Sequence, residues 1–201
     1  MTDHPLLMYP WYKEVNIIDK VTQGDILFEM PVPSIKEVEE PPYYKIGRSN
    51  IPKGIVLTQA CDLENNKIDQ VAICPIVELK SVLKSIISKE MPDADYDKLT
   101  GKQLKRKHEI IDEIRQGQYL DYYLLNTYTG IDESLNMSYE VVLLRNTFYL
   151  PVSVVNTIIS HRNGKRLTLL PPYREHLAQA YARNFNRIGL PIDIKVDVSK
   201  V

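Results

Sequence analysis

The chemistry-bearing residues of this chain gather at the end of one short apolar run. Gly54-Ile55-Val56-Leu57 leads directly into Thr58, Gln59, Ala60, Cys61 and Asp62. A hydroxyl, a thiol and a carboxylate thus follow one another at what reads as a strand end. A hydroxyl or carboxylate can act as nucleophile or proton acceptor. Upstream, Gly24-Asp25 reads as a turn opening a strand over Ile26–Met30, and Gln70–Val77 supplies a third strand. Three strands in this order predict a small barrel with a site at one rim.

Two further constellations compete for the chemistry. Cys61 invites a cysteine–histidine nucleophile, but His4, His108, His161 and His176 have no family-type spacing to it. Cys61 and Cys74 lie thirteen apart, and neither belongs to a Cys-x-x-Cys pair, which argues against a structural zinc site. Asp62, a strand, then Glu78-Leu79-Lys80 resembles the PD-(D/E)xK nuclease pattern. There the carboxylates would hold Mg²⁺ and the lysine would help activate water. That pattern also calls for an acidic helix upstream, where this chain reads as strand and proline-rich loop.

The elements that must position these residues are mixed. The segment to Lys20 is expected to drape over the barrel, anchored by Trp11 and Tyr12. Pro31, Pro33, Pro41, Pro42 and Pro52, with Glu37, Glu39 and Glu40, predict a long connecting loop before the Gly54 strand. Asn65-Asn66 tolerates positive φ and predicts a turn joining the second and third strands. From Val77, the apolar positions Leu79, Val82, Leu83, Ile86 and Ile87 fit a helix ending near Pro92, and a second helix is expected from about Asp97 to Arg115. The basic run Lys102–His108 on that helix has a solvated face as its commoner role. Strands are expected at Tyr119–Asn126, Tyr139–Leu144, Thr147–Leu150 and Lys165–Leu170. A closing helix follows from Tyr173 to about Ile188, stopped by Gly189 and Pro191.

Composition bounds the function classes. The chain has 201 residues and a net charge of −1, so no global field steers it toward nucleic acid. Two cysteines do not make a disulfide framework, and no apolar run is long enough for a transmembrane helix; a soluble cytoplasmic protein without membrane contact is expected. Tyrosine is overrepresented, 13 against 3 Phe and 1 Trp. Sheet packing accounts for many of these; Tyr119, Tyr122, Tyr123, Tyr128, Tyr139 and Tyr149 could also form a stacking surface.

In order and spacing, Gly24-Asp25-Ile26-Leu27, Ile55-Val56-Leu57-Thr58-Gln59 and Val71-Ala72-Ile73-Cys74-Pro75 resemble the MazF/PemK-type toxins. The chain also looks like a set of bacterial proteins with a Thr/Ser-Gln-x-Cys-Asp-Leu strand end and a Pro-Tyr-Arg-Glu-His-Leu helix, here Pro172–Leu177. The resemblance implies an SH3-like barrel and cleavage of single-stranded RNA without metal or cofactor, in a toxin–antitoxin or phage-defence setting. It matches Thr58 to the toxin hydroxyl position. Where the toxin pattern has arginine and proline, this chain has Pro52-Lys53, with Arg48 the nearest guanidinium.

The expected architecture is α+β: an SH3-like, partly open β-barrel over 21–77 and 117–191, with a helical insertion at 78–116 and a C-terminal closing helix, all in one domain. Three functional readings stand. The first is a toxin-like protein that binds or processes nucleic acid, with Thr58, Asp62, Arg48 and Lys53 catalytic and Gln59, Cys61, Gly24 and Asp25 binding substrate. The second is a non-catalytic interaction module that binds a protein partner or its own copy. The third is a Mg²⁺-dependent nuclease using Asp62, Glu78 and Lys80.

Overall fold

The computed structural model describes residues 9–185. Its centre is one antiparallel sheet. The strands are β1 (Tyr12–Asn16), β2 (Asp25–Glu37), β3 (Tyr44–Val56), β4 (Gln70–Glu78), β5 (Tyr122–Leu125), β6 (Glu140–Leu143), β7 (Phe148–Pro151) and β8 (Lys165–Leu169). Their order is β1-β8-β2-β3-β4-β6-β5, with β7 also pairing to β4. Among the described residues five α-helices accompany them: α1 (Ala60–Glu64), α2 (Leu79–Glu90), α3 (Lys102–Arg115), α4 (Val152–His161) and α5 (Tyr173–Phe185). The architecture is α+β. Among the described residues no helix is long and apolar enough to cross a membrane.

Alternation sorts the apolar residues onto two sheet faces. Ile26, Phe28, Ile55, Leu57, Cys74 and Ile76 point to one face, where Leu177 of α5 closes over them. Leu27, Val56, Val71 and Ile73 point to the other, covered by Val155 and Ile159 of α4. Because both faces are buried, the central strands read as nearly continuous apolar runs rather than alternating ones. Farther along the second face, α2 and α3 place Leu83, Ile87, Ile110 and Ile114 on Val141.

Several elements differ from the sequence expectation. The N-terminal segment does not simply drape: Tyr12–Asn16 is an edge strand paired to β8. The second insertion helix begins at Lys102 rather than near Asp97, after a 3-10 turn over Tyr96–Lys98 and Gly101 at φ +51°. Helix α4 has no counterpart in the sequence reading. Its β-branched residues disfavour a helix, and burial of Val155 and Ile159 one turn apart decides it. The outer end of the closing helix, with Ile188, Gly189 and Pro191, lies outside the described residues, as does His4.

The largest difference is the proline-studded stretch. It is a hairpin arm, β2 and β3 pairing from Ile26↔Ile55 out to Glu37↔Tyr44. Pro31 and Pro33 are two apart, so both direct their missing N–H toward the same edge. On that edge β2 pairs with β8 only at Asp25 and Ile26, so no ladder bond is lost. At Glu29, with φ +54°, the alternation slips, and Met30 and Val32 join the face of Leu27 rather than that of Ile26.

Candidate functional site

The residues expected to act together occupy separate places. Thr58 lies just past β3, and its Oγ1 accepts the Ala72 N–H at 2.7 Å, so the hydroxyl oxygen holds the β4 backbone. Gln59, Cys61 and Asp62 follow at the start of α1, Cys61 exposed with its sulfur 3.7 Å from Gln59 Oε1 and 3.9 Å from Asp62 Oδ1. Thr58, Gln59, Cys61 and Asp62 therefore do share one strand end. Arg48 does not reach it. A strand rises about 3.3 Å per residue, so Arg48 sits about 26 Å from Val56 along β3, out on the arm.

Lys53 is occupied. Its ammonium makes a close ion pair with Glu140 of β6 and lies 5.8 Å from the centre of the Phe28 ring. Glu140 is 1% exposed, and its Oε2 accepts no hydrogen bond from any described residue. Burial pushes the Glu140 carboxyl above its ordinary pKa; Lys53 opposes this, and Glu78, its register partner on β4, reinforces it. Lys53 is thus the counter-charge of a buried carboxylate.

Gly24 and Asp25 are likewise engaged within the fold. Asp25 is 0% exposed and its carboxylate is saturated: it accepts from Arg166 Nε at 2.8 Å, Thr168 Oγ1 at 2.6 Å and the Thr22 N–H at 3.0 Å. Arg166 also donates to the carbonyls of Ile17 and Gly164. Burial raises the Asp25 pKa, with Thr168 and Arg166 pulling against it. Gly24 takes φ +85° and donates to Val56 O at 2.9 Å. The Gly-Asp pair pins the start of β2 to β8 and β3.

The alternative metal set is also dispersed. Leu57 and Thr58 bond to Ala72, so Asp62 sits near the Gln70 end of β4, whereas Glu78 closes the far end, about 26 Å along the strand. Lys80 pairs with Asp97 at 3.2 Å in the open. Among the described residues no group of three or more His, Cys, Asp or Glu side chains could hold a metal.

What the fold does assemble is a cleft of about 540 Å³ between α5, the end of α3 and β5. Four of the tyrosines singled out in the sequence line it: Tyr119, Tyr122, Tyr123 and Tyr139. Tyr119 and Tyr122 stack at 6.0 Å between ring centres, 27° apart. On the opposite wall α5 presents Tyr173, His176, Ala180 and Arg183, spaced by three, four and three residues and therefore on one helical face. Trp11 backs that wall, stacked on Tyr173 at 3.8 Å and 12°.

Hydrogen bonds fix the walls. Tyr123 Oη donates to Tyr173 O at 3.1 Å, and Asn184 Nδ2 donates to Leu120 O at 2.7 Å. Burial holds the Tyr123 phenol well above its ordinary pKa, so it stays a neutral donor. The charge of the lining is one-sided: Arg115 and Arg183 line the cleft and no carboxylate does. Arg115 reaches Asp112 at 2.9 Å, an exposed contact; Arg183 has no ion-pair partner among the described residues. Sequence reasoning found the tyrosines but not their convergence. The signal available was the spacing of Tyr173, His176, Ala180 and Arg183 on one helix.

No protein-family model, no curated protein and no solved structure matches the chain.

Proposed function

We propose that the protein binds single-stranded nucleic acid in the tyrosine cleft. The observation that carries this reading is the lining: stacked tyrosines with two arginines and no carboxylate, in a chain whose overall charge is close to balanced. Aromatic faces accept bases of any sequence, and guanidinium groups meet the phosphates between them. A volume of about 540 Å³ suits one or two nucleotides. The resemblance to the MazF/PemK-type toxins points to the same ligand class, with RNA as the strand. We also read the sheet as an SH3-like, partly open barrel. Tyr12 Oη on β1 donates to Asn126 O beyond β5, and Tyr128 Oη donates to Glu14 on β1, so side chains bridge the two ends of the sheet.

A processing activity would have to act at Thr58 and Asp62 without Arg48 or Lys53, since one is distant and the other is committed to Glu140. Binding at the cleft is therefore the primary function in this proposal. The test is fluorescence anisotropy of a labelled mixed-sequence 12-nucleotide RNA, and of the matching DNA, in EDTA. Micromolar binding is expected, weakened about tenfold or more by Tyr122→Ala and by Arg183→Ala, with a shallower salt dependence for Arg183→Ala. Absence of binding at low salt, or equal binding by both variants, refutes the proposal. Running the same RNA on a gel, with and without Thr58→Ala, reports any EDTA-resistant cleavage separately.

A further inference from the structure

The hairpin arm is asymmetric in a way that the cleft does not use. Its β2 edge carries Pro31 and Pro33, which have no N–H to offer a neighbouring strand. Prolines at these positions require that 31, 33, 35 and 37 turn their backbone groups outward on β2. Their register partners 50, 48, 46 and 44 then turn outward on β3. Strand β4 pairs with β3 only over Lys53–Val56, so among the described residues Tyr44, Ile46 and Arg48 present open N–H and C=O groups at a free edge. One edge of the arm is blocked and the other is open.

The side chains on this arm are unusually apolar for exposed positions. Ile35 and Ile46 stand directly opposite each other at 75% and 73% exposure, and Tyr43 and Tyr44 are exposed beside them. Glu37, Glu39 and Glu40 lie at the tip, Lys36 and Lys45 face each other one step behind them, and Arg48 lies farther down the shaft. An antiparallel neighbour of the same kind would bring the Glu37 end of each arm beside Arg48 of the other.

We propose that the open β3 edge pairs with the β3 edge of a second copy of this chain, across a two-fold axis at Ile46. That register joins two hairpins into a four-stranded ribbon. Ile46 then faces Ile46 of the second copy, and the row reads Ile35, Ile46, Ile46, Ile35 across all four strands on one face. The next row reads Glu37, Tyr44, then Arg48 and Pro33 of the second copy, which places a guanidinium beside a tyrosine ring and a carboxylate. Lys45 falls opposite Gly47 of the second copy, so no like charges stand directly opposite each other across the new pairing, the two Lys45 residues being diagonal neighbours. The occupant is a second copy because this edge is complementary to itself in backbone, in its apolar row and in the row that sets Arg48 beside Tyr44 and Glu37.

The experiment is sedimentation equilibrium of the full chain, with cysteine cross-linking as a check on register. A dimer with a dissociation constant of about 10–100 µM is expected for an edge contact of this size. Ile46→Lys places two ammonium groups on the axis and should weaken the dimer about tenfold or more without lowering thermal stability. In a Cys61→Ser background, Ile46→Cys should form an intermolecular disulfide on mild oxidation. Directly opposed strand residues lie about 5.5 Å apart, within disulfide reach. Ser49→Cys, far from its own copy in this register, should not. A monomer at about 300 µM, an undiminished dimer in Ile46→Lys, or equal cross-linking of Ser49→Cys and Ile46→Cys would each overturn the proposal. None of these outcomes depends on whether the cleft binds RNA.

Discussion

The Lys53–Glu140 pair allows the sharpest test of how the sheet uses its charged residues. Glu140 is 1% exposed, whereas the Lys53 side chain is 18% exposed, so the two halves of the pair are not equivalent. Lys53→Met keeps the aliphatic stem over Phe28 but leaves a buried carboxylate without its only ion-pair partner among the described residues. Breaking a fully buried pair costs about 3–5 kcal/mol. Water access to the Lys53 end reduces this to about 2–3 kcal/mol, or about 5–8 °C in Tm for a chain of this length. Glu140→Gln removes the buried charge instead and leaves an ammonium that can turn toward solvent; it should cost about 1 kcal/mol or less.

The pH dependence has a definite sign. The Glu140 pKa is already raised in the folded protein by burial, and Lys53 is the main influence holding it down. Lys53→Met raises it further. A carboxyl whose folded pKa exceeds its unfolded value binds its proton more tightly when folded. The folded state is therefore favoured at low pH and loses stability as pH rises from the unfolded pKa through the folded one. The cost of Lys53→Met should thus be small near pH 4 and grow toward pH 8. Urea denaturation of wild type, Lys53→Met, Glu140→Gln and the double variant at both pH values measures it. Equal stability of wild type and Lys53→Met at pH 8, or a penalty larger at pH 4, would refute the reasoning.

Two other predictions concern residues that looked functional in the sequence. Asp25→Asn should destabilise the protein by about 3 kcal/mol or more, because Arg166 is 3% exposed and keeps its charge; urea denaturation reads this, and RNA binding at the cleft should persist in the folded fraction. Cys61 is exposed and Cys74 is buried, with its thiol pushed up to about 11 by burial. A thiol reagent at neutral pH should titrate one cysteine in the native protein and the second only on unfolding, and Cys61→Ser should abolish the native reaction.

Much of the local structure was legible because it depends on nearest neighbours. The apolar spacing of Leu79, Val82, Leu83, Ile86 and Ile87 encodes α2 by itself, and the tolerance of Asn66 for φ of +50° encodes the turn before β4. The central strands were legible because burial on both faces makes them apolar throughout. The arm was not: prolines read as loop until the neighbouring edge is known to be empty, and only the sheet order shows that β8 stops at Ile26.

The same limit governed the candidate site. Residue types and linear spacing placed Thr58, Gln59, Cys61 and Asp62 at one strand end, since four positions so close in sequence cannot be far apart in space. They could not show that Arg48 is carried away along a straight strand. Nor could they show that Lys53 and Asp25 have found partners 87 and 141 residues distant in Glu140 and Arg166. The tyrosines were visible one by one. Their convergence required α5 to lie against the α3–β5 corner, a contact set by burial of Leu177 and by the Asn184–Leu120 hydrogen bond. Sequence alone determines which groups exist and which short segments twist or extend. Which charges are neutralised, and which aromatic rings face one cleft, depends on contacts between distant segments, and only the tertiary structure decides those.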